Sequence, residues 1–152
     1  MAIQLKSKPF GLISISDKQV ITFPQGILGF ETYRKFALIE ESEESPFKWL
    51  QSMEEEDLAF IIMQPQLFYT EYSPAIPASE LVDIALKDSN SAIQFVIVTI
   101  PNNKPEDMTA NLQGPILINK SNLIGKQVIS SSESHPVRAR IADYIAKMEQ
   151  NC

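Results

Sequence analysis

A chain of 152 residues is long enough for one domain, and at this length folding removes roughly 70% of the surface an extended chain exposes. With 44% apolar and 21% charged residues it lies outside the composition range of disordered chains, and it holds no run of about 20 apolar residues that could span a membrane as a helix. A net charge of −6 argues against direct nucleic-acid binding, which needs cations facing phosphate.

The first eight residues, from Met1 to Lys8, contain neither an apolar leader nor a small-residue cleavage site, so the chain reads as cytoplasmic. Ten prolines and several Asn, Asp and Ser clusters then cut the sequence into pieces too short for core helices. The first of these predict strands over 3–6, 12–15, 20–23, 36–39, 47–52 and 58–63, many of them carrying β-branched or aromatic residues. Between the third and fourth lies Gly26-Ile27-Leu28-Gly29. A Gly-x-x-Gly loop clamps nucleic-acid backbones in one RNA-binding fold, but here its interior is Ile-Leu with no adjacent Lys or Arg, so a structural turn is expected.

Charge concentrates just downstream. From Glu31 to Asp57 nine acids face three bases, so this stretch carries the whole net charge and suits a basic partner if it forms one lobe. Its run Glu54-Glu55-Glu56-Asp57 has neither the alternating spacing nor the glycine of a calcium loop. The segment 65–74 then places Phe68, Tyr69 and Tyr72 around Glu71 in a loop-like stretch. Aromatics in such a place are either folded back as core plugs or displayed as interface anchors. The display reading makes Phe68, Tyr69, Glu71 and Tyr72, with Glu54, Glu55, Glu56 and Asp57, the candidate partner-binding residues.

A short helix is expected near 79–87, with acids early and Lys87 late. The run 93–100 (Ile-Gln-Phe-Val-Ile-Val-Thr-Ile) predicts a central strand covered on most of both faces. Further strands are expected over 109–112, 116–119 and 127–130. A C-terminal helix is expected near 136–150, capped by Ser134 or His135, with Val137, Ile141, Tyr144, Ile145 and Met148 as one apolar stripe. The whole reads as a single mainly β domain, mostly antiparallel, with a core over 1–130 and a helical extension over 134–152. Closing its sheet into a barrel would remove vulnerable edges.

Groups for chemistry are scarce. The single histidine, His135, and the single cysteine, Cys152 at the chain end, supply neither a zinc site nor a Cys-His pair, and no Gly-x-Ser-x-Gly turn is present. No cofactor and no enzymatic activity are expected. Carboxylates and tyrosines in a barrel mouth leave a small-ligand or hydrolytic β-barrel as the alternative.

Several stretches together carry a family resemblance. They are residues 21–31 (ITFPQGILGFE), Ser45-Pro46-Phe47 with Trp49-Leu50-Gln51-Ser52, Pro65-x-Leu67-Phe68 through Tyr72, residues 109–119 (TANLQGPILIN), and Gly125-Lys126-Gln127-Val128. In this order and spacing over roughly residues 10–130, the sequence resembles the FliW family. The resemblance implies a mostly antiparallel β-barrel and a partner switch. Family members bind flagellin while it accumulates in the cytoplasm; once flagellin is exported, they bind the RNA-binding translational regulator CsrA and relieve its repression of flagellin translation. The partners implied are therefore flagellin and CsrA, with no membrane contact. A chaperone that only shields flagellin is a further alternative. Oligomeric state is not written in the sequence, and a monomer is expected.

Overall fold

The computed structural model describes residues 2–150, so the terminal thiol of Cys152 lies outside the described residues. Its strands are β1 (Ala2–Ser7), β2 (Gly11–Ser16), β3 (Val20–Thr22), β4 (Lys35–Ile39), β5 (Phe47–Ser52), β6 (Ala59–Met63), β7 (Ile93–Thr99), β8 (Thr109–Ala110), β9 (Ile116–Asn119), β10 (Ile124–Gln127) and β11 (Ala139–Arg140). Two α-helices accompany them. The first, α1 (Ala78–Leu81), continues as a 3-10 turn through Val82–Ile84, and the second is α2 (Ile141–Gln150).

Seven strands close into a barrel in the order β7-β6-β5-β4-β3-β10-β9 and back to β7. All neighbours are antiparallel except β3 and β10, which run parallel through the single pair Thr22 and Ile124. One edge of β7 is shared: Ile93, Gln94 and Phe95 pair with β9, while Val98 and Thr99 pair with β8, which β11 then extends. Closure leaves no free edge within the ring. The hairpin of β1 and β2 forms a separate two-stranded sheet.

The barrel is filled by its own side chains. Ile21, Phe23, Phe36, Leu50, Ile62, Phe95 and Ile116 pack in one buried cluster, with Phe23 and Phe36 edge to face at 5.6 Å. Each such side chain stabilises the fold by about 1.5–3 kcal/mol relative to exposure. Alternation along β7 puts Phe95 inside the barrel and Val96 and Val98 outside, where they meet Phe68, Tyr72, Ala139 and Ile141. The expected central strand is thus buried on both faces. The β1–β2 hairpin packs Leu5 and Ile15 over Ala37 and Ile39 of β4. The α1 segment seats Leu81 and Ile84 on Leu117 and Val128. It is also tied down by Lys126, whose buried ammonium pairs with Asp83 at 2.8 Å and with Glu80, and donates to the Glu80 carbonyl. Burial works to lower the Lys126 pKa, but the hydrogen bonds to Asp83 and Glu80 prevail and raise it.

The helix expected near 79–87 ends at Ile84, where Ala85 turns left-handed at φ 58°, and three other boundaries differ from the sequence reading. The last barrel strand lies at Ile124–Gln127 instead of 127–130. Gly125 is required there because a Cβ would come within 2.8 Å of the Phe23 ring, and a glycine and a lysine are poor strand signals by type. The strand expected over 109–112 stops at Ala110, where the Asn111 side chain accepts from the Gln113 and Gly114 N–H groups and turns the chain. The C-terminal helix begins at Ile141 and not near 136. Residues 137 and 138 form a turn and Ala139 and Arg140 pair with β8, while Leu112 N–H bonds to the Pro136 carbonyl. Neither Ser134 nor His135 caps a helix.

Candidate functional site

Chain reversal divides the acidic stretch. The turn between β4 and β5 carries Glu40, Glu41, Glu43 and Glu44 with Lys48 nearby, and it lies at one end of the barrel. Glu31 and Glu54, Glu55, Glu56 and Asp57 lie at the other, on the loops that leave β3 and β5. The single lobe expected from the sequence is therefore two smaller acidic patches separated by the length of β5.

The turn after β5 is built around Gln51. Its fully buried side-chain amide shares two N–H groups among the carbonyls of Ser52, Glu55, Glu56 and Leu58 at 3.1–3.4 Å, while its oxygen accepts from the Ser7 hydroxyl at 2.7 Å. Ser52 Oγ accepts from the Glu54 and Glu55 N–H groups. Glu54 is itself structural: its carboxylate accepts from Lys35 N–H at 3.0 Å and Arg34 N–H at 2.7 Å, which hold its pKa below the usual range. Glu55 accepts from Asp57 N–H at 3.2 Å. Two of the four acids thus hold the turn, and Glu56 and Asp57 project from it, both exposed.

Next to this turn lies an apolar groove of about 650 Å³, floored by Phe30, Phe60 and Ile97 and flanked by Leu28, Pro101 and Val137. Phe30 and Phe60 meet edge to face at 5.2 Å, and Phe60 follows the acidic turn by only three residues. Leu28 is 55%, Phe30 39% and Val137 51% exposed. The display of Leu28 and Phe30 follows from the 26–29 turn, where Gly26 and Gly29 both have positive φ, at 68° and 89°. That geometry sends Ile27 into the barrel core and Leu28 outward. The Leu28 N–H is fixed by the Gln127 side chain at 3.0 Å, and the Gly29 N–H by the Glu31 carboxylate at 2.8 Å. Sequence reasoning assigned this turn a structural role and missed the two side chains it displays. The available signal was two glycines bracketing two large apolar residues, which a short turn cannot both bury.

The aromatic loop turns out to be divided as well. Phe68 and Tyr72 are buried, Phe68 against Tyr144 of α2 at 5.9 Å and Tyr72 by donating its hydroxyl to the Leu112 carbonyl at 2.7 Å. Burial, then the neighbouring Tyr69, raises the Tyr72 pKa well above its ordinary value. Their neighbours face outward: Tyr69 is half-buried, and Thr70 and Glu71 are exposed. The outward part lines a second groove of about 570 Å³ against Tyr144, Lys147 and Met148 of α2. The helix stripe is thereby partly covered, with Ile141 buried and Ile145 exposed.

His135 belongs to the same cluster. It is buried, its ring lies 4.8 Å from that of Tyr72, and its Nδ1 meets Ser130 Oγ at 2.8 Å. That oxygen also accepts from Ala75 N–H at 3.0 Å, so Ser130 ties the imidazole to the 65–76 loop. Both members of the pair are sealed in packing, which gives it a structural role joining the 65–76 loop to the 130–136 segment. Burial lowers the His135 pKa from its ordinary 6.5. The unfolded chain therefore binds more protons between the two values. This contribution to stability is complete above 6.5 and is lost as pH falls through the folded-state value. Thermal melts of the wild type should drop over that interval, and His135→Asn should flatten the drop.

A seven-stranded barrel filled by its own core, with apolar side chains held outside it beside an acidic turn, defines a class: a β-barrel protein whose open surfaces lie on its walls and ends. The comparisons narrow this to a family. The family model described as FliW protein matches residues 4–141. A flagellar assembly factor FliW of Leptospira interrogans is 56% identical over 146 residues, covering 96% of this chain and 97% of the relative. Another, from Thermotoga maritima, is 36% identical over 137 residues, covering 90% and 92%. A solved structure described as the crystal structure of the flagellar assembly factor FliW superimposes with a TM-score of 0.81 at 31% identity, covering 91% of this chain and 96% of that one. The chain belongs to the FliW family.

Proposed function

We propose that this chain is a cytoplasmic flagellar assembly factor without catalytic activity that binds flagellin and CsrA in alternation, its 152 residues working as one unit. The observation that carries this reading is an exposed apolar groove beside an acidic turn, in a chain whose near-full-length relatives are named flagellar assembly factors. Apolar residues lining the groove, with Arg138 its one charged lining residue and the acidic turn to one side, suit a partner helix or strand with one apolar face and a basic flank toward that turn. Leu28 and Phe30 supply the apolar contact and Glu56 and Asp57 the steering charge. Tyr69 and Glu71 serve as a second contact, supported from beneath by Phe68 and Tyr72. Negative charge delivered onto an RNA-binding protein also opposes its RNA. A switch requires that occupancy by one partner lower affinity for the other, by overlap or by coupling.

Calorimetric titration with CsrA, alone and with flagellin already bound, tests this reading. Saturable CsrA binding that flagellin suppresses is the expected result. Flagellin binding with no CsrA response reduces the protein to a chaperone, and silence toward both overturns the reading. For the electrostatic part, E56Q/D57N should weaken CsrA binding roughly threefold to tenfold at low salt and flatten its salt dependence. Melting temperature should hold, because neither side chain holds the turn.

A further inference from the structure

Apart from the Leu28 groove, the outer edge of β2 is open. The β1–β2 hairpin is a sheet of two strands only, and no third strand pairs with either edge among the described residues. The two edges differ. Strand β1 carries Lys6 and is followed by Lys8 and Pro9, residues that discourage pairing, whereas β2 reads Gly-Leu-Ile-Ser-Ile-Ser with no charge and no proline.

A cleft of about 600 Å³ runs along that second edge. It is lined by three consecutive residues of β2, Ile13, Ser14 and Ile15, and across from them by Ile39, Glu40 and Glu41 at the exit of β4. Successive side chains of a strand point to opposite faces, so a cleft touching three in a row lies along the strand's backbone edge. Its walls mix apolar residues, Phe10 among them resting edge to face on Trp49 at 5.4 Å, with the polar Ser14 and Gln19. Its rim is acidic. Glu41 accepts from Trp49 Nε1 at 2.7 Å, and Glu43 and Glu44 follow on the same exposed turn, where Lys48, bonded to Glu40 at 2.7 Å, is the nearby base.

We propose that the edge of β2 and the 40–44 turn together form a docking site for an extended cationic segment of another protein, added to the hairpin as a third strand. Backbone N–H and C=O groups of the segment complete the ladder, alternate apolar side chains enter the cleft, and its Lys or Arg residues reach the glutamates. Charge complementarity selects this occupant over a second copy of the chain. Pairing β2 with β2 would bring two acidic turns together, and each holds four glutamates against one lysine. The site shares no lining residue with the Leu28 groove, so it stands or falls apart from flagellin and CsrA binding.

Trp49 is the only tryptophan and reports on the cleft through two of its lining residues, Phe10 and Glu41. The test is a fluorescence titration of the full chain with an end-blocked hexapeptide alternating lysine and valine. Two control peptides accompany it, one with glutamate for lysine and one N-methylated at every valine and lysine. A saturable 1:1 change in Trp49 emission is expected with the first peptide, with roughly tenfold or greater weakening for each control. E40Q/E41Q, which keeps an acceptor for Trp49 Nε1, should weaken the lysine peptide and improve the glutamate one. Equal binding of the N-methylated peptide would sink strand addition. No binding of the lysine peptide, or sedimentation showing that copies of the chain already occupy the edge, would overturn the proposal outright.

Discussion

Gly26→Ala is expected to destabilise the protein by about 2–4 kcal/mol, combining left-handed backbone strain with a direct backbone collision. Gly26 sits at φ 68°, and a Cβ there would stand 2.5 Å from Glu31 Cα and 2.8 Å from the Glu31 carbonyl oxygen. These are backbone atoms and cannot swing aside as a flexible side chain would. Relief requires the 26–31 turn to open, which withdraws Ile27 from the barrel core and displaces Leu28 and Phe30 from the groove. The Gly26 N–H bond to the Phe23 carbonyl at 2.9 Å would be strained with it. Denaturant melts should show the loss, and any partner affinity that depends on the groove should fall in parallel. Gly29→Ala separates the two terms, because its φ is 89° but no atom lies within 4 Å of the added Cβ. That variant should cost only the conformational part, about 1–2 kcal/mol. If both variants melt together with wild type, the turn does not set the groove.

The strands that local pattern announces are the ones the structure contains with little change. Residues 47–52 and 116–119 form strands over the expected bounds, and the apolar run from Ile93 becomes the strand shared by the inner and outer clusters. Patterns decided by distant partners were not legible. Residues 136–140 have helical spacing, yet the edge of β8 claims Ala139 and Arg140 as β11 and delays the helix to Ile141. The single parallel pairing that closes the barrel joins Thr22 to Ile124 across 102 positions of sequence, and no window contains both.

The candidate site was legible in composition but not in direction. Acids and aromatics sit where the sequence suggested, but residues in loops have no periodicity to say which face they take. Phe68 and Tyr72 turn inward because β6, β7 and α2 leave a hole of aromatic size between them. Leu28 turns outward because two glycines fix the chain around it. The acidic stretch looked continuous only because the hairpin of β4 and β5 returns its halves to opposite ends of the barrel.

Gln51→Leu is the second large effect, expected to lower stability by about 2–4 kcal/mol even though leucine has nearly the same volume. Glutamine at this position serves four turn carbonyls and the buried Ser7 hydroxyl. Leucine fills the space but leaves the buried Ser7 hydroxyl without its acceptor, at about 1–3 kcal/mol. It also removes the amide that draws the four carbonyls together, although the Glu55, Glu56 and Leu58 carbonyls keep the Leu58, Lys8 and Ser52 N–H groups. The loss should be felt in two places. On one side the 53–58 turn loosens, freeing Glu54 from the Lys35 and Arg34 N–H groups and spreading the acidic patch. On the other, Ser7 loses its acceptor and the Lys8 N–H bond to the Glu56 carbonyl weakens, so the β1–β2 hairpin lifts from the barrel. Amide hydrogen exchange should therefore accelerate at Lys8, Arg34, Lys35 and Leu58 while β7 and β9 stay protected. Gln51→Glu gives the contrasting case, since a carboxylate keeps the Ser7 bond but repels the carbonyls, and exchange should then rise at the turn and spare the hairpin. An unchanged pattern in both variants would mean that the turn is held by its own backbone, and that Gln51 is only filling space.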